Sequence, residues 1–341
     1  MVYHSTVVHR AHTDGPCETN SMRQALLLFL RAGLLSLLCL PGLVRAEISV
    51  ATTIRPLQLI AEAILQDQGE VSVIVKANQS AHQFSISPSD RFALARADIV
   101  LWIGPEFENQ LSSLLNQSKA SLITASELDG MTLYELSEDS HLGHSVDSHL
   151  WLDSGNVLRV ATELAALAAQ IDSDNASSYR NNLATFRDRI DGAVTTISEW
   201  LSEGSRSTRI LSNVSTTRLI PNEDPVSFVV YHNAFQYFEK QFGLQHKFEL
   251  IRDPENQPSI QEIVETRNLV IAEQPVCLFV EPDANMALVS TLLDDYEIET
   301  YIVDPLGYFN DDAMEEASGD YPSFLLGIAQ QFRNCLSGTE P

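Results

Sequence analysis

From residue 47 onward, short runs rich in β-branched residues alternate with amphipathic stretches, and that alternation breaks only once. Residues 48–51, 71–75 and 99–103 are short, apolar and bounded by turn formers, so they read as buried strands. Between and after them, 56–66, 88–97 and 108–115 carry helical periodicity, with Pro88 suited to a first turn and Ser87 to its cap. Such alternation builds layered α/β units around a mostly parallel sheet. It then stops: 156–171 and 177–201 are both helical, with no strand between them. In the second, Leu183, Phe186, Ile190, Val194, Ile197 and Leu201 form one continuous apolar stripe. Strand-like runs return at 226–231, 276–280 and 299–303, with helical patterns at 233–242, 260–272, 286–293 and 321–336. The expected fold is therefore α/β in two lobes, 47–172 and 205–341. Each lobe is a mostly parallel sheet flanked by helices, and one long helix within 173–204 connects them.

Residues 1–46 belong to neither lobe. Arg23 and Arg31 precede an apolar stretch from Ala32 to Leu40, Pro41-Gly42 breaks it, and Val44-Arg45-Ala46 supplies small residues at −3 and −1. That is the layout of a cleavable secretory signal, and the stretch is far shorter than the ~20 residues a bilayer span needs. The reading puts the translation start at Met22, with 1–21 as a polar extension outside the signal, and cleavage between Ala46 and Glu47. The chain is expected in the periplasm, without a membrane span after processing and as a monomer.

Charge narrows the partners. With 46 acidic against 21 basic side chains, the net charge is −25. A phosphate backbone or an anionic lipid surface needs a basic face, so nucleic acid and membrane-surface partners are excluded. Processing leaves Cys277 and Cys335, and two cysteines in an exported chain most simply form one disulfide. Closing that loop would stabilise by roughly 4 kcal/mol in the chain-entropy model.

Six histidines follow residue 46: His82, His141, His144, His149, His232 and His246. His82 lies beyond the 71–75 run, His149 sits in Asp-Ser-His-Leu-Trp-Leu-Asp, and His232 ends the 226–231 run. Asp304 ends 299–303. In open α/β sheets the carboxyl ends of strands line the ligand crevice, so these four side chains can converge between the lobes. Three imidazoles and a carboxylate suit Zn²⁺ or another borderline divalent metal. Their spacings of 67, 83 and 72 residues match no compact metal motif.

The flanking segments carry a resemblance. They are AHQFSISPSD at 81–90, DIVLWIGP at 98–105, HLWLD at 149–153, VVYHNAFQYF at 229–238, FVEPDAN at 279–285 and VDPLG at 303–307. In order and spacing, from Ile48 to about Cys335, the chain resembles the periplasmic zinc-binding components of high-affinity zinc-uptake ABC transporters. The resemblance implies two α/β lobes joined by a long helix, and Zn²⁺ carried between them to an inner-membrane ABC permease. It implies a metal set of His82, His149 and His232, with Asp304 or water as the fourth ligand, and a Cys277–Cys335 disulfide. It implies no enzyme activity.

Two departures stand out. The long His/Asp run of many such receptors is reduced to Glu138-Asp139-Ser140-His141-Leu142-Gly143-His144, and Ala81 precedes the first ligand where some members carry Glu. His141 and His144 are either an auxiliary low-affinity metal site or part of a plain solvated loop. His246 is expected at the surface, and Glu281 at the crevice either as a ligand or as a hydrogen-bonding partner. The competing functions are a manganese or iron receptor of the same architecture and an exported zinc hydrolase. A histidine at 232, where manganese-selective relatives often carry a carboxylate, favours zinc. H-E-x-x-H and G-x-S-x-G signatures are absent from the sequence.

Overall fold

The computed structural model describes residues 47–77, 79–136, 146–204, 209–213, 216–220, 227–254, 256–294, 296–309 and 319–338. The signal segment, the start at Met22 and the His141/His144 pair lie outside these residues.

The first sheet holds four strands, β1 (Ile48–Thr52), β2 (Gly69–Val73), β3 (Ile99–Trp102) and β4 (Ser121–Thr124), in the order β2-β1-β3-β4. All its pairings are parallel, with Val50 opposite both Val71 and Ile99. Helices α1 (Arg55–Leu65), α2 (Pro88–Arg96) and α3 (Asn109–Leu115) connect the strands. Parallel strands need such crossovers, and β3 is buried along its whole length. Ser87 caps α2, as the sequence predicts, and the structure adds a full capping box with Asp90. The fourth strand, β4, is the one the sequence reading passes over.

After the sheet come α4 (Ser154–Ile171) and α5 (Ala176–Gly204), separated only by the 3₁₀ turn Ser173–Asn175. The predicted stripe is real: Phe186, Ile190, Ile197 and Leu201 are buried, and Leu183 and Val194 pack against the same core. This long helix is not an isolated rod. It packs against α4, α1 and α9 (Tyr321–Ser337).

An antiparallel hairpin, β5 (Arg209–Asn213) with β6 (Thr216–Ile220), follows and has no counterpart among the predicted elements. The second sheet is three parallel strands, β7 (Phe228–Val230), β8 (Cys277–Val280) and β9 (Glu299–Ile302), in chain order. Helices α6 (Gln236–Phe242), α7 (Ile260–Glu273) and α8 (Met286–Leu293) complete the lobe. A disulfide joins Cys277 at the head of β8 to Cys335 in α9, with Cα atoms 6.0 Å apart.

One apolar cluster runs through both sheets. It takes in Val50, Ile60 and Leu101 from the first lobe, Tyr179 and Ile190 from α5, and Phe228, Phe279 and Phe332 from the second. Among the described residues, no helix is long and apolar enough to cross a membrane.

Candidate metal centre

The topology of the second sheet decides what reaches the crevice. Because its strands are parallel, all three carboxyl ends open on one edge. His232 stands two residues beyond β7, Glu281 one beyond β8 and Asp304 two beyond β9. With β8 in the middle, Glu281 falls between the other two. From the first lobe, the segment after β2 supplies His82, and the one leading into α4 supplies His149 at the mouth of the 3₁₀ turn Leu150–Leu152.

These contributions converge. His82, His149 and His232 each offer a ring nitrogen, and the three atoms lie within 4.8 Å of one another. Ring centroids are 5.5 Å apart for His82–His149, 5.8 Å for His82–His232 and 5.5 Å for His149–His232. His149 and His232 are buried, and His82 is half-buried. They share a cavity of about 380 Å³ that Glu281, Asp304 and Tyr308 also line.

Carboxylates stand behind two of the rings. Nδ1 of His149 is 2.8 Å from Oδ1 of Asp147, whose side chain is wholly inaccessible. Nδ1 of His232 is 3.0 Å from Oε1 of Glu281, at an orientation short of hydrogen-bond geometry. Burial disfavours protonation of His232, but the adjacent Glu281 carboxylate outweighs it and raises the group above the ordinary imidazole range. Nε2 of His232 is buried with no hydrogen-bond partner. A buried ring nitrogen left unpaired is costly unless something occupies it, and a cation is the occupant that a cluster of imidazoles favours.

Aromatic rings wall the cluster. Phe107 stands edge-on to His82 at 5.0 Å, and Trp151 is 5.2 Å from His149. Phe107 is set by the β3–α3 turn, which buried Glu108 holds by accepting N–H bonds from Ile103 and Gly104. Burial pushes Glu108 up to about 7, against the hydrogen bonds that favour its charged form.

Asp304 is on the cavity wall but outside the mutually close set. Its carboxylate accepts backbone N–H bonds from Leu306 (2.8 Å), Tyr308 (2.6 Å) and Phe309 (3.1 Å), which fold 304–309 into a tight turn. Burial raises its pKa, with those N–H bonds opposing. The turn reaches the first lobe through three contacts. Arg55 Nε donates to the Gly307 carbonyl (2.8 Å), Trp151 Nε1 to that of Pro305 (2.8 Å), and the Tyr308 hydroxyl to that of Val75.

Other expectations resolve as follows. Glu281 borders the crevice beside His232, as a partner of the ring rather than a member of the close set. His246 is not a surface residue: its side chain is 13% exposed, with Nδ1 2.8 Å from Glu239 of α6 and Nε2 3.7 Å from Glu249. Asp147 went unrecognised in the sequence, although its place two residues before His149 is the signal that finds it.

Comparison with known proteins bears on the family and the fold. The family model for ZnuA, zinc-uptake complex component A periplasmic, matches residues 50–335. The high-affinity zinc uptake system protein ZnuA of Brucella suis biovar 1 (strain 1330) is 24% identical over 350 residues, covering 91% of this chain and 98% of the relative. A crystal structure of ZnuA shares the fold with a TM-score of 0.68 at 23% identity, covering 85% of this chain and 100% of that one. A ZnuA deletion mutant with zinc bound gives a TM-score of 0.65 at 23% identity, over 86% of this chain and 100% of its own. With the match running from the first strand to the disulfide cysteine of α9, the chain belongs to the ZnuA family of periplasmic zinc-uptake components.

Proposed function

We propose that this chain captures Zn²⁺ between its lobes on His82, His149 and His232 and delivers it to an inner-membrane ABC permease. The observation that carries the reading is the meeting of three ring nitrogens within 4.8 Å, one of them buried and unpaired. Imidazole suits zinc better than it suits manganese, which prefers oxygen ligands. Asp304 or water closes the fourth position. The protein is a receptor rather than a catalyst, working as a monomer, and its family supports that role. Export and cleavage after Ala46 belong to the same reading. The first strand begins two residues beyond that bond, so nothing of the described fold is lost with the leader. An exported chain whose mass does not begin at Glu47 would contradict the cleavage site.

Single changes of His82, His149 or His232 to Ala are expected to weaken zinc binding by at least 100-fold each, read by competition with a chelator. Calorimetric competition among zinc, manganese and iron should rank zinc first. Near-native zinc affinity in the triple variant would end the proposal, and a preference for manganese would reassign the cargo.

A further inference from the structure

We propose that Asp147 is the positioning residue of the centre: it fixes the His149 ring so that Nε2 faces the metal, and it ties that ring to the helix behind His232. This inference rests on the zinc reading. Asp147 lies in the approach to the 3₁₀ turn, and its side chain is completely inaccessible to solvent. A carboxylate in such a place must have its oxygens occupied, and here each is accounted for. Oδ1 takes the backbone N–H of His149 (3.0 Å) together with that residue's ring Nδ1 (2.8 Å). Oδ2 accepts from Nε2 of Gln236 (3.3 Å), the first residue of α6. The Asp147 carbonyl accepts from the Tyr237 hydroxyl (2.8 Å), and that hydroxyl accepts in turn from the Tyr134 backbone N–H (3.2 Å).

Two consequences follow from this wiring. A carboxylate accepts only, so the proton on the His149 ring belongs on Nδ1 and the lone pair on Nε2. That is the tautomer a metal needs, and the carboxylate also makes the ring a stronger donor. Gln236 and Tyr237 lie four and five residues after His232. The group that aims the first-lobe ligand is therefore bonded directly to the element next to the second-lobe ligand.

The test is a double-mutant cycle read by chelator competition, using Asp147→Asn alone, His149→Ala alone, and both together. Asn keeps the size and an acceptor oxygen, so the fold is expected to persist, with an unchanged thermal melt in the absence of metal. Removing an outer-shell partner typically costs 10–100-fold in metal affinity. Asp147→Asn is expected to weaken zinc binding about tenfold in the wild-type background and less than twofold when His149 is already Ala. The visible absorption of the Co²⁺-loaded Asp147→Asn protein should shift from that of the wild type. Equal losses in both backgrounds, or a wild-type affinity and Co²⁺ spectrum for Asp147→Asn, would overturn the assignment. A wild-type protein that fails to bind zinc would instead overturn the function on which it rests, so the two failures are told apart.

Discussion

At the scale of single residues, histidine does two kinds of work in this chain, and neighbours decide which. His82, His149 and His232 face one another across a cavity, where a cation can take their lone pairs. His246 sits instead between Glu239 and Glu249 and has no such vacancy. Burial pulls its pKa down, but the hydrogen bond to Glu239 and the negative charge of both carboxylates win and raise it to about 9. A group whose pKa is higher folded than unfolded contributes stability that is complete below its ordinary value near 6.5. That contribution disappears as pH rises through 9. His246→Gln should therefore cost roughly 2–3 kcal/mol at pH 6 and almost nothing at pH 10, as urea unfolding at the two pH values would show. A deficit that persists unchanged at pH 10 would mean that shape, and not charge, holds this residue. The motifs around His82, His149 and His232 singled them out in the sequence, and the fold brings the three together. The sequence reading misplaced His246 because two acids, seven residues upstream and three downstream, look like ordinary surface charge until the chain folds them onto one ring.

At the scale of elements, the strands of the second sheet and the turn after β9 shape the crevice. Strand positions were legible because Val-, Ile- and Phe-rich runs between turn formers have few other uses. The turn was not. Its form depends on Asp304 gathering three backbone N–H groups and on Gly307 adopting φ +69°, which a sequence motif does not spell out. A Cβ at 307 would come within 2.5 Å of the Phe324 ring, in a backbone region that side chains rarely occupy. Gly307→Ala should thus cost about 1–3 kcal/mol in urea unfolding and loosen the Arg55 contact. A wild-type unfolding midpoint would show that the turn can give way at no cost. β4 and the β5–β6 hairpin escaped the sequence reading for a related reason. β4 is a four-residue edge strand of Ser, Leu, Ile and Thr, and each hairpin strand has only two apolar residues, adjacent rather than alternating, among Arg, Ser, Asn and Thr. Both are recognisable mainly by their pairing partners.

At the scale of the whole molecule, the acidity that ruled out nucleic acid and lipid fits a protein that handles cations. Diffuse charge can speed an encounter with a metal ion but cannot choose among metals. On the proposed site, that choice falls to the imidazoles of His82, His149 and His232. The long helix was foreseen as a link between lobes, and its stripe was read correctly from periodicity. Periodicity cannot show what a stripe touches, and here it joins helices of both lobes in one apolar core.

That shared core, together with the turn pinned to Arg55, Trp151 and Val75, bears on how long an ion stays. Halves welded along a helix have no easy swing by which to spill their contents. For zinc on the proposed site, residence time is then expected to follow metal–ligand bonds breaking one at a time, in a cavity of about 380 Å³. Exchange should be assisted: the rate of zinc loss, followed by stopped flow, should climb with the concentration of a small chelator. A rate independent of chelator would place the slow step in a motion of the protein instead.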